Sequence, residues 1–312
     1  MNRKRSTLRL LAAAAALAVG LTACGGDSGT GAGGTGNNPA AGGGNKGAIK
    51  VGAFGFPEST LIATIYAKQL TKDGFSASVV QLEQRPAVQP ALVKGDIDVV
   101  PEYVSTMLNF YSPKTATVDD AQNFTKLKSV AESKGLVVYT PAKATDNYAF
   151  GVTKDFSEQN KITTLTELAA YSQSKPLDFG GTQECKDAEY CYKGLQNTYG
   201  IKFGAYKSIL LSSQKEVDGL TKGEYQVSVF NSSDGVLSVN PVVVLKDDKG
   251  LNPNDYIVPA VTKGKASADL ETSLNKVSSA LSQDELNRMN KETQNDRKST
   301  DKVAQDFVDK LQ

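Results

Sequence analysis

Apolar positions recur along the chain with the two periods of strands and helices, and Gly74 and Gly95 punctuate the pattern. The predicted elements of the first part are strand Ile49–Phe54, helix Glu58–Lys72, strand Phe75–Leu82, helix Val88–Lys94, strand Ile97–Val100 and strand Leu136–Tyr139. This β-α-β-α-β order predicts a mostly parallel sheet with helices on both faces.

A second unit of the same kind follows, and a helical tail closes the chain. Its predicted elements are strand Tyr148–Thr153, a helix opened by the capping box Thr164–Glu167, strand Leu177–Gly180, helix Gly194–Tyr199, a helix opened by the capping box Ser213–Glu216, and strands Val227–Phe230 and Val242–Leu245. The tail carries two apolar stripes, Leu270, Leu274, Val277 and Leu281, then Val303, Phe307 and Leu311. Two α/β units predict a two-lobed clamp.

The ends of the predicted strands indicate where a ligand would bind. In open α/β sheets ligands lie beyond the carboxyl ends of strands. The segments at predicted strand ends, where a cleft would lie, are Pro101–Thr106, Asp146–Tyr148 and Asn231–Asp234. Each segment taken alone is equally well an ordinary turn. Because such segments recur in both units, they favour a cleft.

The N-terminus has the build of a signal peptide. Met1–Arg9 is basic, and the apolar run Leu10–Leu21 is too short for a comfortable transmembrane helix. The run ends in Leu-Thr-Ala-Cys24, which resembles the bacterial lipobox; the resemblance implies removal of residues 1–23 and diacylation of Cys24. A plain signal peptide with a chance cysteine is the alternative. Residues 24–47, rich in Gly, predict a flexible tether, a composition also found in ordinary lipoprotein spacers.

Composition narrows the function classes. The 312 residues suffice for one large domain or two lobes, and they include no His, so Ser-His-Asp and Cys-His sites are excluded and zinc loses its commonest ligand. The net charge is +1, and residues 1–23 hold four basic and no acidic residues, which leaves −3 for the remainder. We therefore expect no enzyme, no metal, no cofactor and no nucleic-acid partner.

Besides Cys24 the chain contains only Cys185 and Cys191, in a polar segment. Outside the cytoplasm such a pair tends to oxidise, so we expect a disulfide that closes a small loop. The alternative, a redox or metal pair, lacks both a C-x-x-C spacing and a His.

Residues Lys94–Thr106, KGDIDVVPEYVST, resemble a segment of the substrate-binding proteins of osmoprotectant ABC importers, which take up glycine betaine, choline and carnitine. Supporting segments follow in the same order: Asp146–Val152, Thr164–Leu168, Tyr199–Ile201, Ser233–Gly235 and Val244–Gly250. The resemblance implies a type II periplasmic-binding-protein clamp, each lobe a mixed sheet flanked by helices. The expected lobes are 48–143 plus 246–312, and 144–245. It also implies a monomeric lipoprotein on the extracytoplasmic face of the cell membrane, with ABC permease subunits as partners.

The resemblance also assigns roles to four residues. Tyr103 and Tyr148 match tyrosines that cage a trimethylammonium group, which has charge but no N–H and is held by aromatic faces. Asp146 matches an acidic site near the cation, and Thr106 matches a hydroxyl that contacts the ligand's carboxylate. For each tyrosine the alternative is core packing with its hydroxyl satisfied.

Three positions depart from the family pattern. Phe54 and Ala188 stand where relatives often have a cation for the ligand's carboxylate, and Asn231, or Phe230, stands where a further cage tyrosine is expected. The carboxylate clamp is therefore expected to be absent, so choline should bind better than glycine betaine. The predicted ligand site is Phe54, Tyr103, Thr106, Asp146, Tyr148 and Asn231. A sensor or adhesion lipoprotein, with a different polar or aromatic ligand and no transport role, remains the competing hypothesis.

Overall fold

The computed structural model describes residues 46–209, 214–238 and 241–311. The expected signal peptide, the lipidation site Cys24, nearly all of the tether and the capping residue Ser213 lie outside the described residues. In the part that is described, no helix has both the length and the apolar character needed to cross a bilayer.

Strands and helices alternate over most of the described chain. The strands are β1 Ala48–Ala53, β2 Ser76–Gln81, β3 Val99–Tyr103, β4 Leu136–Val138, β5 Tyr148–Thr153, β6 Leu177–Gly181, β7 Phe203–Ser208, β8 Val227–Asn231, β9 Val242–Leu245 and β10 Ile257–Thr262. The α-helices are α1 Pro57–Lys72, α2 Arg85–Lys94, α3 Val104–Tyr111, α4 Asp120–Ser133, α5 Lys154–Asn160, α6 Leu165–Ser172, α7 Gln183–Asp187, α8 Tyr192–Gly194, α9 Gln214–Thr221, α10 Ala268–Ala280, α11 Gln283–Asn290 and α12 Thr300–Val308.

The described strands form two five-stranded sheets with the same internal arrangement. Their orders are β2-β1-β3-β10-β4 and β7-β6-β8-β5-β9. In each sheet three neighbouring strands are parallel, and one antiparallel strand, β10 or β5, lies between the third of them and the edge strand. We call the residues built on these sheets the first lobe and the second lobe. The predicted fold class, two mixed sheets flanked by helices, is confirmed.

Two connections join the lobes, and they run side by side. The chain leaves the first sheet after β4 and returns to it after β9. Between them, the N–H of Asp146 donates to the carbonyl of Asp255 (3.1 Å), and the N–H of Ile257 donates to the carbonyl of Ala144 (3.2 Å). Thr145 and Tyr256 form an antiparallel bridge. The connections therefore form a short two-stranded ribbon at the boundary between the lobes, which we call the ribbon.

The first lobe buries apolar side chains on both faces of its sheet. One core packs α1, α10 and α12 against β1, and the other packs α2, α3 and α4 against the opposite face. The first predicted stripe of the tail, Leu270 to Leu281, is fully buried, and Val303 and Phe307 of the second stripe are buried as well. The amphipathic patterns thus correctly predicted the faces by which these helices pack.

Local capping also follows the sequence. At the start of α6 the Thr164 hydroxyl accepts from the N–H of Glu167 (3.1 Å), and the Glu167 carboxylate accepts from the N–H of Thr164 (3.0 Å). This capping box was predicted and is confirmed.

Strand β3 extends further than predicted, through Tyr103, because β10 supplies an antiparallel partner along its whole length. Pro101 lies opposite Pro259, so the two residues that lack an N–H face each other across the ladder. The expectation of a mostly parallel sheet needs correction for the same reason: the return of the chain adds a strand that runs the other way.

Candidate functional site

The sheet topology brings together strand ends from both lobes. Tyr148 opens β5 opposite Asn231, which ends β8. Ile257 opens β10 opposite Tyr103, which ends β3. Because β5 and β10 are antiparallel to their neighbours, their amino ends lie at the edge where the parallel strands have their carboxyl ends. That edge is where ligands bind in α/β sheets.

A cavity of about 240 Å³ lies at this edge, beside the ribbon. Its lining residues are Ser105, Thr106, Asn109, Asp146, Asn147, Tyr148, Tyr190, Asn231, Asn252, Pro253 and Asp255. The volume is below the roughly 300 Å³ at which pockets for drug-sized ligands begin, so the cavity suits a small solute. Four predicted site residues line it: Thr106, Asp146, Tyr148 and Asn231.

Two further clefts continue from the cavity. One contains Asp146 and Asn231 together with Phe56 and Glu58. The other contains Thr106 together with Phe54 and Phe56. The shared residues show that both clefts adjoin the cavity.

Tyr103 and Phe54 are not among the residues that line the cavity. The Tyr103 side chain is 4% exposed, and its hydroxyl donates to Glu58 Oε1 (2.7 Å). Phe54 is 2% exposed and lies in the apolar core beside α2 and α3. Phe54 follows β1 and Tyr103 ends β3, two neighbouring strands in the interior of the sheet. The buried carboxylate of Glu58 needs a donor, which the Tyr103 hydroxyl supplies. Tyr103 thus fits the alternative of core packing with its hydroxyl satisfied.

Phe56, which was not predicted as a site residue, is more exposed than either of these rings. Its ring stacks on Phe54 with centroids 5.9 Å apart and lies 6.2 Å from Tyr103. It is 37% exposed and lines both neighbouring clefts. Phe56 carries no periodic signal in the sequence, because it immediately follows a Gly in a loop.

Carboxylates surround the cavity. Ser233 Oγ donates to Asp146 Oδ1 (2.8 Å), Asn290 Nδ2 donates to Glu58 Oε2 (2.6 Å), and the N–H of Asn231 donates to Asp234 Oδ2 (2.8 Å). Burial raises the pKa of Glu58. Burial and then repulsion from Glu58 raise the pKa of Asp146 well above its usual range. A cation in their midst would offset the repulsion between these groups and favour their charged forms.

Asp255, which no sequence pattern predicted as a site residue, is the most enclosed carboxylate of the lining at 8% exposure. It accepts from the N–H groups of Ser105 (2.7 Å) and Thr106 (3.1 Å) and from the Thr106 hydroxyl. Burial raises its pKa to about 6, against the lowering effect of these hydrogen bonds. The Thr106 hydroxyl, expected at a ligand's carboxylate, is thus bonded to Asp255.

Among the described residues that line the cavity, none is Lys or Arg. The neighbouring cleft does contain Arg85, whose Nε and Nη2 bond the two carboxylate oxygens of Glu102 at 3.0 Å each. Its guanidinium lies 4.7 Å from the centroid of the Phe54 ring. Arg85 is therefore already paired with an acid of its own lobe. Nor do any three His, Cys, Asp or Glu side chains of the described residues converge as metal ligands.

The loop between α7 and α8 adds a second aromatic residue of the second lobe. Cys185 and Cys191 are joined by a disulfide, with an S–S distance of 2.00 Å. Ala188 lies within the closed loop but not at the cavity, whereas Tyr190, two residues further on, lines the cavity and is 40% exposed. A signal for Tyr190 was present in the sequence, since the loop follows the carboxyl end of a predicted strand.

Comparison with known proteins gives a family for the chain. A family model described as the substrate binding domain of the ABC-type glycine betaine transport system matches residues 47–310. The chain belongs to this family. It is therefore the substrate-binding component of an ABC-type osmolyte transport system.

Individual members of the family are distant in sequence. The chain is 27% identical to the glycine betaine-binding protein YehZ of Escherichia coli over 228 residues, 68% of this chain and 73% of YehZ. It is 23% identical to the glycine-betaine-binding protein of Pseudomonas aeruginosa over 269 residues, 83% of this chain and 86% of that protein. A solved structure of a glycine betaine/carnitine/choline ABC transporter protein superposes with a TM-score of 0.77 at 23% identity, covering 84% of this chain and 98% of that chain. This last likeness shows the shared fold.

Proposed function

We propose that the chain captures a small quaternary-amine cation outside the cytoplasm for an ABC permease, and that it binds choline more tightly than glycine betaine. The single observation that carries this proposal is the charge of the cavity. Asp146 and Asp255 line it, Glu58 and Asp234 adjoin it, and no described lining residue is cationic. A trimethylammonium ion gains from such a field without needing hydrogen-bond acceptors of fixed geometry.

Aromatic faces complete the recognition of the cation. Tyr148 and Tyr190 line the cavity from the second lobe, and Phe56 borders the adjoining clefts from the first lobe. A cation over such a ring gains about 0.5–2 kcal/mol per good contact. We propose that these three rings cage the trimethylammonium group, a role that the sequence predicted for Tyr103 and Tyr148.

A ligand carboxylate would meet the opposite conditions. It would enter beside Asp255 and Asp146 with no unpaired cation of the lining to balance it. A buried carboxylate without a partner costs several kcal/mol. This cost is the reason that we place choline ahead of glycine betaine.

The two-lobed build supports capture by closure. The lining comes from both lobes and from the ribbon that joins them, so a ligand that contacts all three favours the closed arrangement. We propose lobe boundaries at 48–143 plus 246–312 for the first lobe and 144–245 for the second. A closed, liganded form gives the permease a distinct surface to recognise.

We further propose that the protein is a monomeric lipoprotein anchored through Cys24. The sequence Leu-Thr-Ala-Cys24 after an apolar run supports this, and two acyl chains hold a protein on a membrane where one is marginal. Such an anchor would keep the protein in the same membrane as its permease.

Calorimetry on the mature protein with choline and with glycine betaine tests the proposed ligand class. We expect a lower Kd for choline, and we expect Tyr148→Ala to weaken choline binding by about 2- to 30-fold, the range of one cation–π contact. Tyr171→Ala is the matched control, because Tyr171 contacts Phe156 in the same lobe, away from the cavity. If glycine betaine binds as tightly as choline, the charge argument is wrong. If Tyr148→Ala binds choline as tightly as Tyr171→Ala does, the proposed aromatic contact is wrong.

A further inference from the structure

The amino end of α3 is built to bind a carboxylate. The N–H groups of Ser105 and Thr106 belong to its first turn and have no intrahelical acceptor, and the Thr106 hydroxyl lies beside them. Such a helix start attracts anions through its free N–H groups and its dipole. Ser105 and Thr106 both line the cavity, so these donors lie beside the space that is open to a ligand.

The carboxylate found there belongs to the protein itself. Asp255 reaches α3 from the ribbon, about 150 residues further along the chain, and accepts from all three donors. Its neighbours hold it in place: the Ser105 hydroxyl donates to the carbonyl of Asn254 (2.8 Å), and Asn254 Nδ2 and the Tyr256 hydroxyl both donate to Asp120 Oδ2 (2.9 and 3.1 Å). The position of Asp255 is therefore determined on both sides.

We propose that Asp255 determines specificity by occupying the carboxylate site at the start of α3, which restricts the cavity to cations that carry no carboxylate of their own. This inference deepens the proposed function and rests on it for the choice of ligand. Asp255 acts in two ways. It fills the donors that a zwitterion would need, and its charge repels a second carboxylate while it attracts a cation.

Removal of the Asp255 carboxylate should shift the ligand preference of the site from choline toward glycine betaine. Asp255→Ala leaves two N–H groups and a hydroxyl without their acceptor at the cavity wall, and the carboxylate of glycine betaine can supply one. We expect the ratio of glycine betaine affinity to choline affinity to rise about tenfold or more, the effect of a hydrogen bond to a charged group. Asp255→Asn removes the charge but keeps an oxygen at the donors, so it should weaken choline without a comparable gain for glycine betaine.

A second measurement is independent of the quaternary amine. Thermal unfolding of the mature, ligand-free protein is followed in sodium acetate and in sodium chloride at the same ionic strength. We expect acetate to raise the Tm of Asp255→Ala above its value in chloride, since acetate binds at the vacated donors. Acetate should have no such effect on the wild type or on Asp255→Asn.

Asp120→Ala is the matched control for both measurements. It releases Asn254 and Tyr256 on either side of Asp255 but leaves the Asp255 carboxylate in place, so it should lower stability without a response to acetate. Where Asp255→Ala does not fold, Asp255→Ser, which keeps a short polar side chain, replaces it.

The outcomes separate this inference from the proposed function. An equal response to acetate in the wild type and Asp255→Ala overturns the carboxylate site, as does an unchanged preference for choline in the variant. If the wild type binds neither quaternary amine, the proposed ligand class fails, and the comparison in acetate alone decides for or against the role of Asp255.

Discussion

Ser233 has a single hydroxyl proton and two carboxylates within its reach. It donates to Asp146 Oδ1 (2.8 Å), while Glu58 is served by Tyr103 and Asn290. Burial raises the pKa of both Glu58 and Asp146, and repulsion from Glu58 adds to the rise at Asp146, while the hydrogen bonds that each accepts oppose it. Without a bound cation these side chains therefore hold protons to higher pH than ordinary carboxyls.

The same logic predicts how stability depends on pH at Asp255. Its pKa is about 6 in the folded protein against an ordinary value of 3.8, so between these values the folded state binds more protons than the unfolded chain. The stabilisation from this group is complete below the lower value and is lost as pH rises through about 6. We expect the wild type to gain stability relative to Asp255→Asn as pH falls from 7 to 5, measured by urea unfolding without ligand.

Comparison of the two proteins cancels the titration of carboxyls that do not interact with Asp255, several of which have lowered pKa values and oppose the trend. A stability difference that is constant over this range, or that changes in the opposite direction, would show that Asp255 is charged in the folded protein at pH 5.

At the scale of elements, the disulfide loop between α7 and α8 links core packing to the cavity. Cys185 and Cys191 are both fully buried in the second-lobe core. Gly194, the last residue of α8, allows the loop to pass so closely that a Cβ there would lie 2.0 Å from the carbonyl oxygen of Glu189. Tyr190 is thus held at the cavity, because the buried cysteines Cys185 and Cys191 fix the loop on both sides of it.

Replacement of both cysteines by serine should therefore affect stability and binding together. A loop this short predicts a loss of about 2 kcal/mol in the free energy of unfolding. Choline binding should weaken as well, because Tyr190 is no longer held at the cavity. Tyr190→Ala is the control, since its side chain is 40% exposed: it should weaken binding with little change in stability by non-reducing urea unfolding. Full choline affinity in the double variant would mean that the loop keeps its shape without the bond.

At the scale of the whole molecule, α11 connects the first lobe to the turn that follows β8. Gln283, Asn287 and Asn290 donate side-chain N–H groups to the carbonyls of Ser232 and Ser233 at 2.9–3.3 Å. Asn290 Nδ2 also donates to Glu58. These contacts join parts of the molecule that closure would bring together, and they lie next to the acidic groups of the cleft.

Asn290→Ala should shift the molecule toward an open arrangement. It removes the donor shared by Glu58 and Ser233, and the loss of such a hydrogen bond is expected to weaken choline binding about tenfold. Small-angle scattering of the ligand-free variant should give a larger radius of gyration than the wild type. Asn275→Ala is the control, because Asn275 Oδ1 accepts from Thr140 within the first lobe. Identical scattering from Asn290→Ala and the wild type would indicate that other contacts hold the lobes.

Local signals were sufficient for many elements. The predicted bounds of β5 and β9 match the structure, as does the capping box of α6. Two strands were missed: β7, an edge strand whose side chains are half-buried or exposed, and β10, which contains Pro259. In both cases the strand depends on its partners more than on its own pattern, because a ladder can form with a weak alternation or around a proline.

The sequence by itself determined the two α/β units and the buried stripes of the tail helices, because both follow from short-range periodicity. It also determined that histidine chemistry is absent, because composition alone decides that point. Only the tertiary structure decided which polar groups meet. Asp255 and Thr106 are 149 residues apart, and Glu58 and Asn290 are 232 apart, so no local pattern predicts either pair. Because the chain returns to the first sheet as antiparallel β10, Asp255 lies at the start of α3. The Tyr103 hydroxyl donates to buried Glu58, so the Tyr103 side chain lies in the core. A side chain's role in the cleft therefore depends on which buried partner it must satisfy, a property of the fold rather than of the neighbouring sequence.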